Sequence, residues 1–409
     1  MKKLINIDLV PNFENDDFEI IKKLLNRSYD DLLEDQSKIE KSLKSYFPDG
    51  EILFFSSARG ALYFLLSQIK TKSEEHVITQ AFSCLVVPLA IKSAGYKPIY
   101  VDIDDSFNLS IQDLKNKLTS QTKAIIIQNT FGLPANISEI IKIAKENNLL
   151  VIENLTHSLG AKYEKKYLGN FGDVSLLSFN RNKVISSIIG GALIIKNQEI
   201  KEKLKQSYLK LSEIDESEIK KILFTGKIFY LAKQNYNIIM KIFLKFLRKK
   251  NYTLEMVSLK EKFGQKPENY LFKFPKILFP LLKNQIEKLE KFNEHRKKIA
   301  QIYIDSGLKN FQINEQSDPI FLRFPIFLNE PEKLLEKFKK QNIYLGDWYR
   351  CVLAPCPKTT LEKFDYQITS CPKAESVTKK IINLPTFVEI DENQALEIIN
   401  LLKNFKKYF

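Results

Sequence analysis

The sequence is poor in the residues that build metal centres and disulfide frameworks. Of its 409 residues, three are histidine and four are cysteine. So few histidines leave almost no room for a histidine-rich metal centre, and the cysteines lack the short paired spacing of zinc sites. No disulfide is required, so we expect a reducing, cytoplasmic setting and no bound metal. These residues are His76, His157, His295, Cys84, Cys351, Cys356 and Cys371.

Long apolar runs are also missing. No stretch reaches the roughly 18 consecutive apolar residues expected of a membrane-spanning helix. Residues 1–8 are basic but lack a sustained apolar core and a small-residue cleavage site, so we expect no secretory signal. With 44% hydrophobic residues and no internal repeat, the chain is long enough for one large and one smaller domain.

Acidic residues are absent from one basic stretch. None occurs between Glu218 and Glu255, where nine lysines and arginines are interspersed with large apolar groups. We call residues 219–254 the acid-free segment. Within it, apolar side chains recur at helical spacing beside a face of lysines, which predicts an amphipathic helix. The apolar positions are Ile238, Ile239, Ile242, Phe243 and Phe246, and the lysines are Lys241, Lys245 and Lys249.

The amphipathic pattern has two interpretations. In one, the helix packs against the protein core or a dimer partner and its lysines face solvent. In the other, about 222–250 lie on an anionic membrane surface, which would make the protein peripheral at the inner face of the membrane. Nucleic acid binding is disfavoured because no nucleic-acid motif accompanies the net charge of +14.

Short β-rich apolar runs alternate with helical periodicity through the first half of the chain. This alternation predicts an α/β fold with a mostly parallel seven-stranded sheet, helices on both faces and ligands at the strand ends. The strands are predicted near 51–55, 76–80, 97–102, 123–128, 149–153, 173–179 and 190–196. The helices are predicted near 58–70, 86–94 and 137–147.

The remainder of the chain predicts a smaller C-terminal α+β domain. One long helix is expected over 284–300, and a terminal helix is expected from about 391. We therefore predict a large domain over 1–255, which includes the basic amphipathic insertion at about 219–254, and a small domain over 256–409.

Lys183 has a chemically suggestive position. It follows a predicted strand that ends in Ser178 and Phe179, and it precedes the pair Gly190 and Gly191. A desolvated lysine amine has a lowered pKa and condenses with a carbonyl better than a hydrated ammonium does.

A second motif opens a predicted helix directly after the first strand. The residues Ser57, Ala58 and Arg59 stand at its N-terminus, where free backbone amides and the helix dipole can hold a phosphate. An ordinary serine helix cap explains the same residues. A third motif, at the end of the strand near 149–153, contains Asn154 and His157.

Together these segments resemble the DegT/DnrJ/StrS family of pyridoxal phosphate (PLP) aminotransferases, and the likeness extends along almost the whole chain. It implies a fold type I transferase, a homodimer, and PLP bound covalently to Lys183, which would also move protons during the reaction. It further implies transfer of an amino group from an amino acid, by family habit glutamate or glutamine. The acceptor would be a keto-sugar, nucleotide-linked or lipid-linked, in surface glycan or glycolipid biosynthesis.

The resemblance also assigns site residues by position. Ser57, Ala58 and Ser178 would bind the phosphate, and Asn154 would contact the ring nitrogen. The full cofactor set is Ser57, Ala58, Arg59, Phe82, Cys84, Asn154, His157, Ser178 and Lys183, with Phe82 or Cys84 where a stacking ring is usual. Trp348, Tyr349 and Arg350 would bind the substrate.

Asn154 is the main departure from the family pattern, which has aspartate there. An amide brings no negative charge to keep the ring nitrogen protonated, so electron withdrawal by the ring should be weaker. Three interpretations stay open: a slow or unusual aminotransferase, a PLP enzyme of another reaction type, such as a dehydratase or epimerase, and a non-catalytic scaffold or sensor. Lys183 argues against a dehydratase, because the family's sugar dehydratases have histidine at that position.

Overall fold

The computed structural model describes residues 4–26, 32–72 and 74–405. In chain order, the strands are β1 (Ile5–Asn6), β2 (Glu51–Phe55), β3 (His76–Gln80), β4 (Lys97–Val101), β5 (Thr122–Gln128), β6 (Leu150–Asn154), β7 (Lys162–Tyr163), β8 (Lys166–Tyr167), β9 (Val174–Ser178), β10 (Gly191–Ile195), β11 (Ser317–Asp318), β12 (Phe324–Phe327), β13 (Ile343–Tyr344) and β14 (Ile381–Leu384).

The helices follow in the same order. They are α1 (Asn15–Leu25), α2 (Leu32–Tyr46), α3 (Ala58–Ile69), α4 (Val86–Ser93), α5 (Ile111–Lys117), α6 (Ile137–Glu146), α7 (Gln198–Leu209), α8 (Glu216–Gln234), α9 (Ile238–Lys249), α10 (Leu259–Lys262), α11 (Phe279–Glu287), α12 (Leu289–Asp305), α13 (Pro331–Lys340), α14 (Pro372–Lys380) and α15 (Glu392–Lys403).

A seven-stranded sheet with strand order β2-β10-β9-β6-β5-β3-β4 organises the first half of the chain. Strand β10 runs antiparallel to β2 and β9, and the remaining pairs are parallel. The mostly parallel sheet is therefore confirmed, and each of its seven strands lies within a residue or so of its predicted range. Strands such as β9 and β10 are buried along their whole length because helices cover both faces, which explains why their sequences lack a strict alternation of apolar and polar residues.

The register of the parallel strands places several polar side chains at one edge of the sheet. Asn154, at the end of β6, pairs in register with Gln128 at the end of β5 and with Leu176 in β9. Ser178 ends β9. Because ligands of open parallel sheets bind at the carboxyl ends of the strands, this edge is the expected place for a site.

The later part of the chain forms small sheets and long helices. Strands β12 and β14 pair antiparallel, and β1 pairs in parallel with β13, so the beginning of the chain joins its later part. The single helix expected over 284–300 was wrong, because α11 and α12 are separated at Lys288. The apolar spacing continues across the break, so periodicity could not locate it. The domain division at 255/256 stays a prediction.

The two helices of the acid-free segment have opposite environments. Helix α8 is largely buried, and the ammonium of Lys233 donates to the Phe13 carbonyl at 2.6 Å and pairs with Glu389 at 2.9 Å. Helix α9 buries Leu244 and Leu247 but exposes the apolar face predicted from the sequence. That face, which we call the α9 outer face, comprises Ile238, Ile239, Ile242, Phe243 and Phe246.

The α9 outer face does not pack against the core of this chain, so the interpretation in which this face is covered by the protein core is wrong. A dimer partner and a membrane surface stay open. Ile239 is 73% exposed and Phe246 is 50% exposed. Across the described ranges, no helix combines the length and apolar character needed to cross a bilayer.

Candidate active site

A cavity of about 530 Å³ lies at the carboxyl edge of the large sheet. It collects most of the residues singled out from the sequence. Those lining it are Ser57, Ala58, Arg59, Cys84, Asn154, Ser178, Lys183, Trp348, Tyr349 and Arg350. Phe82 and His157 do not line it.

Lys183 presents a reactive amine to this cavity. Burial lowers the pKa of Lys183 to about 8, and the charges of Arg323 and Arg59 act in the same direction. Its Nζ lies 4.7 Å from the ring centroid of Trp348. The backbone is fixed because the Lys183 carbonyl accepts from Asn12 Nδ2 at 2.6 Å. Near neutral pH a useful fraction of the side chain is therefore an unprotonated nucleophile.

The N-terminus of α3 forms a compact seat beside the lysine. Ser57 caps the helix, since its Oγ accepts from the Gly60 N–H at 3.1 Å. Ser57 is therefore the helix cap that the sequence allowed, and it also lines the cavity. A Cβ added to Gly191 would stand 2.4 Å from the Ala58 nitrogen, so glycine is required for β10 to approach the seat.

The guanidinium of Arg59 is bound by groups of the protein itself. Its guanidinium pairs with the buried carboxylate of Glu261 and also donates to the Met256 carbonyl. Glu261 closes a capping box with Ser258 at the start of α10. Arg59 thereby connects the N-terminus of α3 to the segment that supplies Met256 and Val257 to the cavity wall.

Asn154 is oriented by its own loop. The Thr156 N–H donates to Asn154 Oδ1 at 3.2 Å, which leaves the Nδ2 amide as the group available for a ligand. The neighbouring Glu153 has a structural role, because its carboxylate accepts three backbone N–H groups from the loop at 169–172, at 2.6–2.7 Å.

His157 lies behind the cavity wall. Its ring stacks on Trp348 with centroids 5.1 Å apart, and its Nε2 lies 3.3 Å from Tyr349 Oη. Its Nδ1 accepts from the Phe131 N–H at 3.4 Å. Burial, with Lys183 and Arg323 nearby, holds the pKa of His157 well below its ordinary range. The imidazole is therefore neutral and supports the two aromatic residues of the wall.

Phe82 belongs to the core. It is fully buried and packs edge-on against Phe131 and Tyr349, with the Tyr349 ring at 5.3 Å. Between the two candidates for the stacking position, only Cys84 lines the cavity, and burial raises the pKa of its thiol. Trp348, which the sequence analysis assigned to substrate, is the aromatic ring beside Lys183.

Sequence reasoning missed several cationic residues. Arg323 is 2% exposed, and its Cζ lies 3.4 Å from the Trp348 ring centroid. An arginine inside the apolar run 320–327 was the available signal, because buried charges are rarely accidental. Arg181 and Arg248 also line the cavity. Nothing in their sequence context separated them from the other basic residues of the chain.

No cluster of three or more histidine, cysteine or acidic side chains suited to a metal ion occurs within residues 4–26, 32–72 and 74–405. The site thus consists of a lysine amine, a helix N-terminus, an amide donor and an aromatic wall. A mostly parallel sheet with these groups at its carboxyl edge is the arrangement predicted for a fold type I transferase, and the role of each site residue stays a prediction.

The chain belongs to the DegT/DnrJ/EryC1/StrS aminotransferase family, whose model matches residues 12–226 and 245–403. The unmatched stretch between these ranges falls within the acid-free segment. The chain is 23% identical to GDP-perosamine synthase of Escherichia coli O157:H7, over 86% of this chain and 84% of that protein.

Solved structures share the fold. The aminotransferase PseC of Helicobacter pylori, involved in the biosynthesis of pseudoaminic acid, superimposes with a TM-score of 0.72 at 19% identity, covering 97% of this chain and 98% of that one. NtdA of Bacillus subtilis, solved with bound cofactor PMP, gives a TM-score of 0.72 at 20% identity and covers 99% and 85%.

Proposed function

We propose that this protein is a PLP-dependent aminotransferase that moves an amino group from an amino acid, glutamate in the first instance, to a keto-sugar. The acceptor is nucleotide-linked or lipid-linked, and the product enters surface glycan or glycolipid biosynthesis. The observation that carries the proposal is the shared cavity of Lys183, the capped N-terminus of α3 and the Asn154 amide.

The residues present fit the cofactor. The glycine at 191 and the small Ala58 leave room for an anion at the helix N-terminus, where backbone amides and the hydroxyls of Ser57 and Ser178 would hold the phosphate. Lys183 would bind the aldehyde carbon, and the Asn154 amide would donate to the ring nitrogen. When bound, PLP accepts the electron pair of the bond broken at the amino-bearing carbon.

Lys183 acts as both base and acid in this scheme. With a pKa of about 8, its amine can remove a proton from the amino-bearing carbon and return it at the cofactor carbon near neutral pH. The wall formed by Trp348 and Tyr349 excludes water on one side of the amine. Arg350, which also lines the cavity, would contact the substrate.

The amide at Asn154 sets this chain apart. Because its Oδ1 is already used by the Thr156 N–H, the side chain offers a neutral donor and stabilises an unprotonated ring nitrogen. The reaction should be slower than with a carboxylate there. The amide at this position is also compatible with two alternative functions. The protein could be a PLP enzyme of another reaction type, or a scaffold or sensor that catalyses no reaction.

The activity can be tested by mixing the PLP-loaded protein with single amino acids. Under the proposal, glutamate or another donor discharges the yellow PLP form, yields the matching keto acid and leaves PMP on the protein. If donors exchange nothing while PLP stays bound, the scaffold interpretation replaces the aminotransferase.

We also propose that the protein works in the cytoplasm as a homodimer and that the α9 outer face rests on an anionic membrane surface. Large apolar side chains there are interleaved with the exposed Lys245, Lys249 and Lys250, and no acid interrupts the segment. Each basic group near anionic lipid contributes on the order of 1 kcal/mol.

The membrane proposal predicts sedimentation with vesicles that contain phosphatidylserine, and none with neutral vesicles. A protein carrying Ile239→Ser and Ile242→Ser should lose this binding, whereas Leu396→Ser, which changes an exposed apolar residue outside this face, should keep it. If the double variant instead alters the oligomeric state without affecting vesicle binding, the face belongs to the dimer.

A further inference from the structure

Two arginines in the cavity wall share one aromatic ring. The guanidinium carbon of Arg181 lies 4.5 Å from the centroid of Phe229, and that of Arg248 lies 5.7 Å from it. All three residues line the cavity that contains Lys183. Arg181 is only 6% exposed. Arg248 stands near the end of α9, where the sequence carries no acid from 219 to 254.

Neither arginine has a carboxylate partner in the described part of the chain. Arg181 Nη2 donates to the Leu254 carbonyl at 3.1 Å, and the guanidinium of Arg248 makes no hydrogen bond or ion pair there. The acidic residues of the cavity wall, Glu255 and Asp347, pair with neither. Asp8, the nearest acidic influence on Arg181, accepts from Asn182 Nδ2 at 2.9 Å.

The buried Arg181 and the exposed Arg248 place two like charges on one ring, and the repulsion from Arg248 acts on Arg181 more strongly than the attraction from Asp8 does. Burial and the charge of Arg248 accordingly lower the pKa of Arg181 to about 10. An anion between the two side chains would remove this repulsion and would satisfy the donors of both guanidinium groups.

We propose that Arg181 and Arg248, held by Phe229, form the binding site for the diphosphate group of the acceptor substrate. Planar guanidinium groups form paired hydrogen bonds to phosphate oxygens, and a diphosphate ester offers two adjacent phosphates to two arginines. Both cations lie over the ring of Phe229, which attracts each of them. This inference rests on the proposed function for the identity of the cavity, and it assigns the anionic end of the acceptor.

The site is separate from the seat for the cofactor phosphate. That seat uses the N-terminus of α3 together with Ser57 and Ser178, whereas the arginine pair comes from the loop after β9 and from α9. Phe229 lies outside the ranges matched by the family model, whereas Arg181 and Arg248 lie inside them. A nucleoside diphosphate and a lipid diphosphate present the same group, so the pair accommodates either source.

Calorimetric titration of the PLP-loaded full-length protein tests the site. The probes are inorganic pyrophosphate, UDP, GDP and farnesyl diphosphate, against wild type and Arg248→Gln. We expect Arg248→Gln to weaken pyrophosphate binding by about 10-fold to 100-fold, the range for a lost charge-assisted pair. Lys249→Gln removes the same charge from the next residue of α9, does not line the cavity, and should change binding by less than about threefold.

Pyrophosphate binding by the conservative variant Arg248→Lys should lie between these two results. The lysine keeps the positive charge but lacks the planar guanidinium that forms paired hydrogen bonds. Tighter binding of UDP or GDP than of pyrophosphate would support the site with a nucleotide-linked acceptor, and tighter binding of farnesyl diphosphate would support it with a lipid-linked one.

Wild-type pyrophosphate affinity in Arg248→Gln would overturn the inference. Loss of PLP from that variant, measured by absorbance, would overturn it too, because the arginines would then serve the cofactor phosphate. Failure of the aminotransferase proposal is a separate result: amino donors would not discharge bound PLP, while pyrophosphate binding would still depend on Arg248.

Discussion

Two groups of residues in the same cavity differ in how the chain positions them. The cofactor group, Ser57, Asn154, Ser178 and Lys183, stands at strand ends and a helix N-terminus of the large sheet, inside the ranges that the family model matches. The arginine pair stands on the loop after β9 and on α9, at positions that the model also matches, whereas Phe229, the ring that both arginines contact, lies outside the match. The proposed chemistry thus rests on ends of regular elements in the large sheet, whereas the proposed recognition site depends on a loop, on helix α9 and on one ring outside the family match.

Removing the lysine should give the largest effect on the cofactor group. Lys183→Ala should lower the rate at which glutamate discharges bound PLP by about 10³-fold, the scale of a lost general acid–base group. Stopped-flow absorbance measures this rate. Lys196→Ala, at a partly buried lysine outside the cavity wall, should retain wild-type behaviour, and an equal loss there would remove the special role of Lys183.

The tie between Arg59 and Glu261 joins the scaffold to the segment over the cavity. Glu261→Gln leaves a buried arginine without its counter-charge, so the free energy of unfolding should fall by about 3 kcal/mol. Urea denaturation measures it. Glu268→Gln breaks an exposed pair with Lys260 and should cost less than about 1 kcal/mol. Similar losses of unfolding free energy in the two variants would show that the buried pair stabilises the fold no more than the exposed pair does.

The amide at 154 separates this chain from the family pattern within the cofactor group itself. Asn154→Asp should speed the glutamate half-reaction by about tenfold, which corresponds to roughly 1.4 kcal/mol off its activation free energy. Asn154→Ala, which removes the donor without adding charge, should not accelerate it. Equal rates for Asp and Ala would mean that charge at this position is irrelevant.

The pH dependence of PLP uptake gives the smallest expected effect. The rate of adduct formation should rise as Lys183 deprotonates, with a midpoint near pH 8, and level off above it. Arg323→Met removes a charge that lowers this pKa, so the midpoint should move upward. A midpoint that stays in place would show that Arg323 does not act on the amine.

The same lowered pKa has a consequence for the stability of the PLP-free protein. The unfolded chain binds a proton at Lys183 up to its ordinary pKa of 10.5, while the folded chain releases it above about 8. Wild-type stability relative to Lys183→Met should therefore be lowest below pH 8 and rise between these values. Thermal unfolding at several pH values measures this difference.

The sequence was sufficient for the large sheet because its strands are continuous apolar runs separated by helical periodicity. It also located Lys183, Ser57, Ser178 and Asn154, since each follows or ends such a run. It could not place Phe82 or His157, because burial and stacking depend on residues more than a hundred positions away, such as Tyr349. Arg181 and Arg248 contact one ring although they lie on different elements far apart in the chain, so their proximity also had no local signal.

The α9 outer face shows what hydrophobic spacing can predict and what it cannot. The spacing predicted correctly that Ile239 and Phe246 share a helix face, but spacing alone does not say what covers a face. Only the packing of α9, which buries Leu244 and Leu247 on the opposite side, shows that this face is left exposed.

The central claim is that the Lys183 amine binds PLP covalently. The direct measurement is borohydride reduction of the PLP-loaded protein, followed by peptide mass mapping of the modified lysine. We expect one cofactor adduct, on the peptide containing Lys183, and no adduct in Lys183→Ala. A cofactor trapped on another lysine, or none trapped on the wild-type protein, would contradict it.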